Sequence, residues 1–246
     1  MASAATYPTA EGGDAAEGGK SVLDTIVYES KVLGKTARLL GRMVFVGAMA
    51  PEHVDEVKGW AAAAAKELGA GAGPGPGVTG CCVVYQDAFL LAIEAPVKDL
   101  DTFVRTLRDA EADGGLMHSV RVVASSQDVP RAYFPGWDTV ESSDLQATAK
   151  SDGVEVPAAR ALSDANLAML GLGDVLRGLE GSDRVEQVSD LGARPSPSVP
   201  PYAVARGLLL LDEPCTVGEY AELFCRPMPL ELDGDTVWPI ATEPVF

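Results

Sequence analysis

The sequence predicts an α+β fold: a sheet of five strands backed by two helices, followed by a helical and extended C-terminal arm. Three observations predict it. Residues 77–96, GVTGCCVVYQDAFLLAIEAP, hold two apolar runs, Cys81–Val84 and Phe89–Ile93, around a polar turn at Gln86–Asp87, the pattern of a hairpin. A helical signal lies on each side of that hairpin, PEHVDEVKGWAAAAAKEL before it and VKDLDTFVRTLRDAEA after it. Further apolar runs, Met43–Val46 and Ser119–Ala124, supply a strand at either end. The order strand–helix–strand–strand–helix–strand, with one more strand after it, is that of a ferredoxin-like βαββαββ sandwich.

Each element has a local reason. Residues 1–20 are small and acidic and read as disordered, and residues 21–40 form an N-terminal extension whose partly helical spacing is broken by Gly34. Pro51 suits a first helical turn, where its missing N–H costs nothing, and Glu52, Asp55 and Glu56 favour the positive end of the helix dipole. The stretch GAGAGPGPG, residues 69–77, cannot hold regular structure and reads as a loop. Pro96 ends the third strand, and Val97, Leu100, Phe103, Val104 and Leu107 then recur along one helical face. The fifth strand falls within Arg131–Val140, around Tyr133, Phe134 and Trp137.

Beyond residue 143 the pattern changes. Residues 144–192 read as a helical extension, with 157–180 as one broken helix or two short ones. ARPSPSVPPY, residues 193–202, reads as an extended proline-rich linker, and GLLLLDEP after it as a buried strand or anchor. The last stretch, from Cys225, is apolar yet carries four prolines, which suits a segment lying along a groove. Residues 193–246 are therefore expected to form a partner-binding tail, with Leu209, Leu210, Trp238, Pro239, Ile240 and Phe246 as candidate contacts; aromatic anchors such as Trp238 dominate interface energy. The fragment 41–143 is expected to fold alone.

Composition narrows the function. Hydrophobic residues make up 47% of 246, enough for a real core. A net charge of −17, heaviest after residue 143, repels nucleic acid phosphate and anionic lipid and favours a basic protein partner. No stretch approaches the length of a membrane span, and the N-terminus has neither signal-peptide nor transit-peptide character. There are 4 cysteines without Cys-x-x-Cys spacing and 2 histidines, which argues against zinc and for reduced thiols in the cytosol. His53 reads as an exposed helix residue, His118 as structural, and Cys81 and Cys82 as strand packing. The loop 69–77 lacks the Gly-Lys-Ser/Thr ending of a phosphate loop. Glu94 has no catalytic partner nearby and reads as an acceptor for backbone N–H groups near the second helix, or as a solvent-facing acid.

The hairpin residues GVTG and FLLAIEAP, with RAYFPGW at 131–137, resemble the signature segments of BLUF domains, blue-light sensors that use flavin. The resemblance covers about residues 41–143 and implies the same fold. Where that family carries a tyrosine on its first strand stands Phe45, and where it carries a glutamine on its third strand stands Leu91. Neither side chain can make the flavin hydrogen bonds. The family's flavin-holding asparagine has no counterpart, since Asn166 is far outside the domain. The expectation is a domain without flavin or any other cofactor, without a metal, and not an enzyme. Flavin-free domains of this kind occur in the testis-expressed protein 47 family, which the chain resembles. That resemblance, with an Ala/Gly-rich composition similar to that of green-algal proteins, implies a flagella-associated structural subunit of the cytoskeleton, in the C1a projection of the axonemal central apparatus. The partners so implied are ciliary scaffold subunits with basic or Ala/Pro-rich segments, without direct tubulin binding. The alternative is a small-ligand-binding or flavin-based sensory domain.

Overall fold

The third strand explains the architecture. In a computed structural model of the chain, residues 40–226 are described apart from 72–76, 113–114, 130, 144–156, 180, 182 and 194–195. The expectations for residues 1–39, and for Trp238, Pro239, Ile240 and Phe246, lie outside the described residues. The third strand, Ala88–Pro96, is buried at all nine positions. Successive strand side chains point to opposite faces, so AFLLAIEAP must be covered on both. An antiparallel sheet with one wet face would alternate instead.

The strands are β1 (Leu40–Ala48), β2 (Thr79–Val84), β3 (Ala88–Pro96), β4 (His118–Val129) and β5 (Trp137–Glu141). Their order is β4-β1-β3-β2-β5, with β1 antiparallel to β3 and β4, β2 antiparallel to β3, and β5 parallel to β2. The first four positions are the ferredoxin-like order expected from the sequence. Strands β1 and β4 are longer than their apolar cores, and β3 ends at Pro96 as expected. The fifth strand is displaced: Tyr133 and Phe134 lie in the loop before it, and only Trp137 of the three expected markers is in the strand.

One face of the sheet is covered by α1 (Val54–Gly71) and α2 (Val97–Ala112). Phe45, Leu91, Ile93, Phe103, Val104 and Leu107 form the centre of this core. The other face is covered by the C-terminal helices α3 (Ala158–Gly178), α4 (Arg184–Ala193) and α5 (Tyr202–Leu209). Here Val44, Val46, Val83, Leu90 and Ala92 meet Met169, Leu172, Leu176, Val188, Tyr202 and Leu208. A last helix, α6 (Val217–Phe224), returns to the first face through Val217, Ala221 and Cys225. The architecture is three layers, helix–sheet–helix, rather than a two-layer sandwich with an arm.

Three readings of the C-terminal region therefore change. Ala158–Gly178 is one continuous helix rather than a broken one or two short ones, because Ala165, Met169, Leu172 and Leu176 recur on a single buried face. Gly173 is there for close approach: a Cβ would meet the Tyr133 and Phe134 rings at 2.9 and 3.1 Å. The proline run is not a free linker. Val199 and Pro200 are buried, Pro200 O accepts from Tyr85 Oη at 2.6 Å, and Pro201 is the N-cap of α5. GLLLLDEP is not a strand, since its first three residues end α5; Leu208 is buried, Leu209 packs partly on the second core and Leu210 is exposed. The described part of the 193–246 region, read as an extended tail, thus contributes two helices and part of both cores.

Candidate functional site

Cross-strand register places Arg42 of β1, Glu94 of β3 and Thr79 of β2 side by side. Glu94 is fully buried. Its Oε1 accepts from Arg42 Nε at 2.6 Å. Its Oε2 accepts from Thr79 Oγ1 at 3.1 Å and from the backbone N–H groups of Tyr133 at 2.6 Å and Phe134 at 3.0 Å. The sequence reading of Glu94 as a backbone acceptor holds in kind. The partners are in the loop before β5, not in the second helix, and solvent exposure is excluded.

The loop is clamped from above as well. The Arg42 and Arg177 guanidinium groups both lie over the Tyr133 ring, 5.1 and 4.7 Å from its centroid. Its hydroxyl donates to Asp174 Oδ2 at 2.6 Å, a bond that raises the phenol pKa above its ordinary value. Arg177 Nη2 donates to the Tyr133 carbonyl. Among the described residues these polar groups face one another, so the cluster fixes the loop and the seat of α3.

The positions that resemble flavin contacts lie in the first core. Phe45 and Leu91 are fully buried, Phe45 packs on Phe103 at 6.0 Å, and Trp60 packs on the same ring at 5.9 Å. Apolar rings and a leucine offer nothing to the polar edge of an isoalloxazine. These residues do not fit a flavin held in that way. His53 pairs with Glu56 in the first turn of the helical segment at 2.6 Å, and among the described residues no group of His, Cys, Asp and Glu could hold a metal ion. No helix of the described residues is long and apolar enough to cross a membrane.

All four thiols are free. Burial pushes Cys82 up to about 12 and Cys81 well above its ordinary value, the latter also through Cys82 and Asp138. Both are therefore neutral at pH 7 and unreactive as nucleophiles. In the native chain Cys215, half-exposed, is expected to react with a thiol-specific disulfide reagent well before Cys81 and Cys82, which should react only on unfolding. Because folding raises both pKa values, their contribution to stability is complete below the unfolded thiol pKa of about 8.5 and declines as pH rises above it. Fast labelling of Cys81 or Cys82 in native protein would contradict the burial.

Large apolar side chains also stand in solvent: Leu167, Val185, Leu210, Leu223 and Phe224. Leu223 and Phe224 are adjacent at the end of α6, where Phe224 stacks on Tyr220 at 4.7 Å. That helix is set by a capping box, with Glu219 N–H donating to Thr216 Oγ1 at 3.2 Å and Thr216 N–H donating to Glu219 Oε2 at 2.9 Å. The motif TVGE at 216–219 is the local signal from which this helix could have been predicted in place of an extended tail.

These features define a ferredoxin-like α+β protein whose sheet is sealed on both faces and whose polar cluster ties the chain to itself. The family model of Testis-expressed protein 47 matches residues 39–225, and the chain belongs to that family. The matched range ends with α6, so it takes in the C-terminal helices as well as the sheet. Similar solved structures include a bacterial light-regulated adenylyl cyclase, at 12% identity and TM-score 0.34 over 63% of this chain and 41% of that one. Another is Klebsiella pneumoniae BlrP1 bound to manganese and cyclic diGMP, at 13% and 0.32 over 42% of this chain and 24% of that one. A third is the BLUF protein BlrB in its dark state, at 15% and 0.37 over 53% of this chain and 96% of that one. The chain spans less than half the length of the cyclase and of BlrP1. No curated protein matches the chain. The fold assignment stands on strand order and register.

Proposed function

We propose that this chain is a non-catalytic interaction subunit of a large assembly, the ciliary axoneme and its central apparatus C1a projection, where it contributes to motility. The observation that supports an interaction role most directly is the pair Leu223 and Phe224, 69% and 65% exposed at the end of a helix whose other side is bound into the core. Adjacent apolar side chains left in water on a rigid element mark a contact surface. Leu210, after α5, is a further large apolar side chain in solvent, 80% exposed. The net charge of −17 selects basic partners, such as scaffold segments rich in lysine, alanine and proline, over acidic tubulin. The ciliary setting comes from family membership and the resemblance above.

The test is recovery of the tagged chain from a ciliated cell. The wild type is expected in the salt-resistant axonemal fraction with co-purifying scaffold proteins, and its loss is expected to impair beating. Leu223→Asp with Phe224→Asp is expected to keep the wild-type melting profile, since both side chains are exposed, yet to lose at least about tenfold of the partner yield, as removing a hot spot of about 2 kcal/mol or more implies. Absence from the axoneme would reject the ciliary setting. Undiminished partner recovery would reject this surface.

A further inference from the structure

The sheet has two edges, and they are finished differently. The outer edge of β4 is met by the chain itself: Val122 N–H donates to Cys215 O at 2.8 Å, and Arg121 forms a bridge with Thr216. The outer edge of β5 is largely unmet. Gly80 N–H donates to Gly136 O at 2.9 Å, and Ser142 N–H donates to Val84 O at 2.8 Å. In a parallel ladder alternate residues face the partner strand, so the even-numbered residues of β5 turn their N–H and C=O toward β2. Trp137, Thr139 and Glu141 turn theirs away. The C-terminal end of this edge is closed by α4: a Cβ at Gly192 would meet the Glu141 carbonyl oxygen at 1.9 Å, and Ser143 N–H and Oγ both donate to Gly192 O at 2.9 and 3.1 Å. Among the described residues the outward N–H groups of Trp137 and Thr139 have no partner.

A groove of about 620 Å³ follows this edge. Trp137, Thr139 and Glu141 line it from the strand, Lys58 from α1, and Val185 and Val188 from α4. Val185 is 82% exposed. The indole Nε1 of Trp137 is buried without an acceptor among the described residues. The charges are already paired: Lys58 lies 2.6 Å from both Asp55 and Glu141, and Arg184 lies 2.6 Å from Asp138. No unpaired charge remains to hold an anion or a cation. What remains is a row of backbone donors and acceptors with a two-residue repeat, an indole donor and an apolar wall. That chemistry matches an extended backbone more closely than a small molecule.

We propose that the outer edge of β5 receives an extended segment of a partner protein as a sixth strand. The segment is uncharged where it lies in the groove, carries apolar side chains at alternate positions against Val185 and Val188, and is basic in its flanks, since the chain around it is strongly acidic. The inference rests on the reading of the chain as an interaction subunit, but it uses a surface other than α6.

The test is residue-resolved amide hydrogen exchange of the full chain with the synthetic probe Lys-Lys-Val-Thr-Val-Thr-Val-Lys-Lys. Exchange at Trp137 and Thr139 is expected to slow on binding, with no change at Val140, which already faces β2. Thr139→Pro removes an outward N–H and leaves the β2 ladder intact, a substitution that edge strands tolerate. Val185→Lys puts a charge in the groove at an exposed position. Each is expected to weaken the probe by about tenfold or more, the equivalent of about one hydrogen bond, while the melting profile is kept. No protection by the probe overturns the proposal. So does protection of Thr139 in the isolated dilute chain, which means a segment of the same chain covers the edge, and so does protection that grows with protein concentration, which means a second copy does. Equal binding of a probe ended in glutamates overturns the basic flanks. If the edge fails while the α6 variants still lose their partners, the edge alone is rejected.

Discussion

Deletion of residues 144–246 is expected to abolish cooperative folding of the sheet domain that remains. The deletion removes α3, α4, α5 and α6, and with them the cover over Val44, Val46, Val83, Leu90, Ala92 and Phe134. Exposing a buried Val, Leu or Phe costs about 1.5–3 kcal/mol each. The five Val, Leu and Phe positions among these together match the roughly 5–15 kcal/mol that hold a whole domain together. Two polar ties are lost as well, from Tyr85 Oη to Pro200 O and from Tyr202 Oη to Asp87 Oδ1, both 2.6 Å. The fragment should lack near-ultraviolet circular dichroism, bind an apolar dye and unfold over a broad urea range. The sequence suggested the opposite, that 41–143 would fold alone. A sharp transition at the full chain's midpoint would show that the C-terminal helices are an accessory and not a layer.

The same helices mark the limit of what could be read in advance. The hairpin, the two helices beside it and the strand order were legible, because β2 and β3 are short apolar runs around a polar turn and α2 has a clean 3.6-residue face. The second layer had a signal too: CCVV and FLLAI do not alternate, and a strand apolar at every position needs cover on both sides. The cover was obscured by local chemistry. Prolines 197, 200 and 201 suggest an extended chain, yet one of them caps a helix, and the two glycines inside α3 suggest a break that its packed face overrides at a cost of about 1 kcal/mol each. The α6 helix carried a usable signal in its capping box, but the surrounding prolines suggest an extended tail. The groove at β5 had no sequence signature, because which residues face outward depends on the parallel partner β2, more than fifty residues earlier in the chain. Nor could the loop partners of Glu94 be inferred, since Tyr133 reaches it only once the sheet has closed.

Glu94→Ala is expected to destabilise the chain by about 3–5 kcal/mol, the usual consequence of removing one partner of a buried ion pair. The carboxylate compensates three kinds of group at once. Without it Arg42, whose side chain is 14% exposed, keeps a charge with no counter-ion. Tyr133 N–H and Phe134 N–H lose their acceptor in a buried site, and each orphaned donor costs about 1–3 kcal/mol. Glu94→Gln should lie between alanine and wild type. Its amide oxygen can still accept from Thr79 and the loop, but its NH₂ then faces the guanidinium, donor against donor. Adding Arg42→Met to Glu94→Gln should recover part of the loss, because the unpaired cation goes with it, and the double variant should sit above the sum of the singles. Urea midpoints of the variants decide this, together with the fluorescence of Trp137, which follows directly after the loop. If the alanine variant unfolds within about 0.5 kcal/mol of wild type, the loop is held by Tyr133 and α3 instead, and Glu94 is a passenger of the strand register. If the order is alanine, glutamine, double variant, wild type, then a single carboxylate links β1, β2 and the loop that leads into β5, and the position of the open edge depends on it.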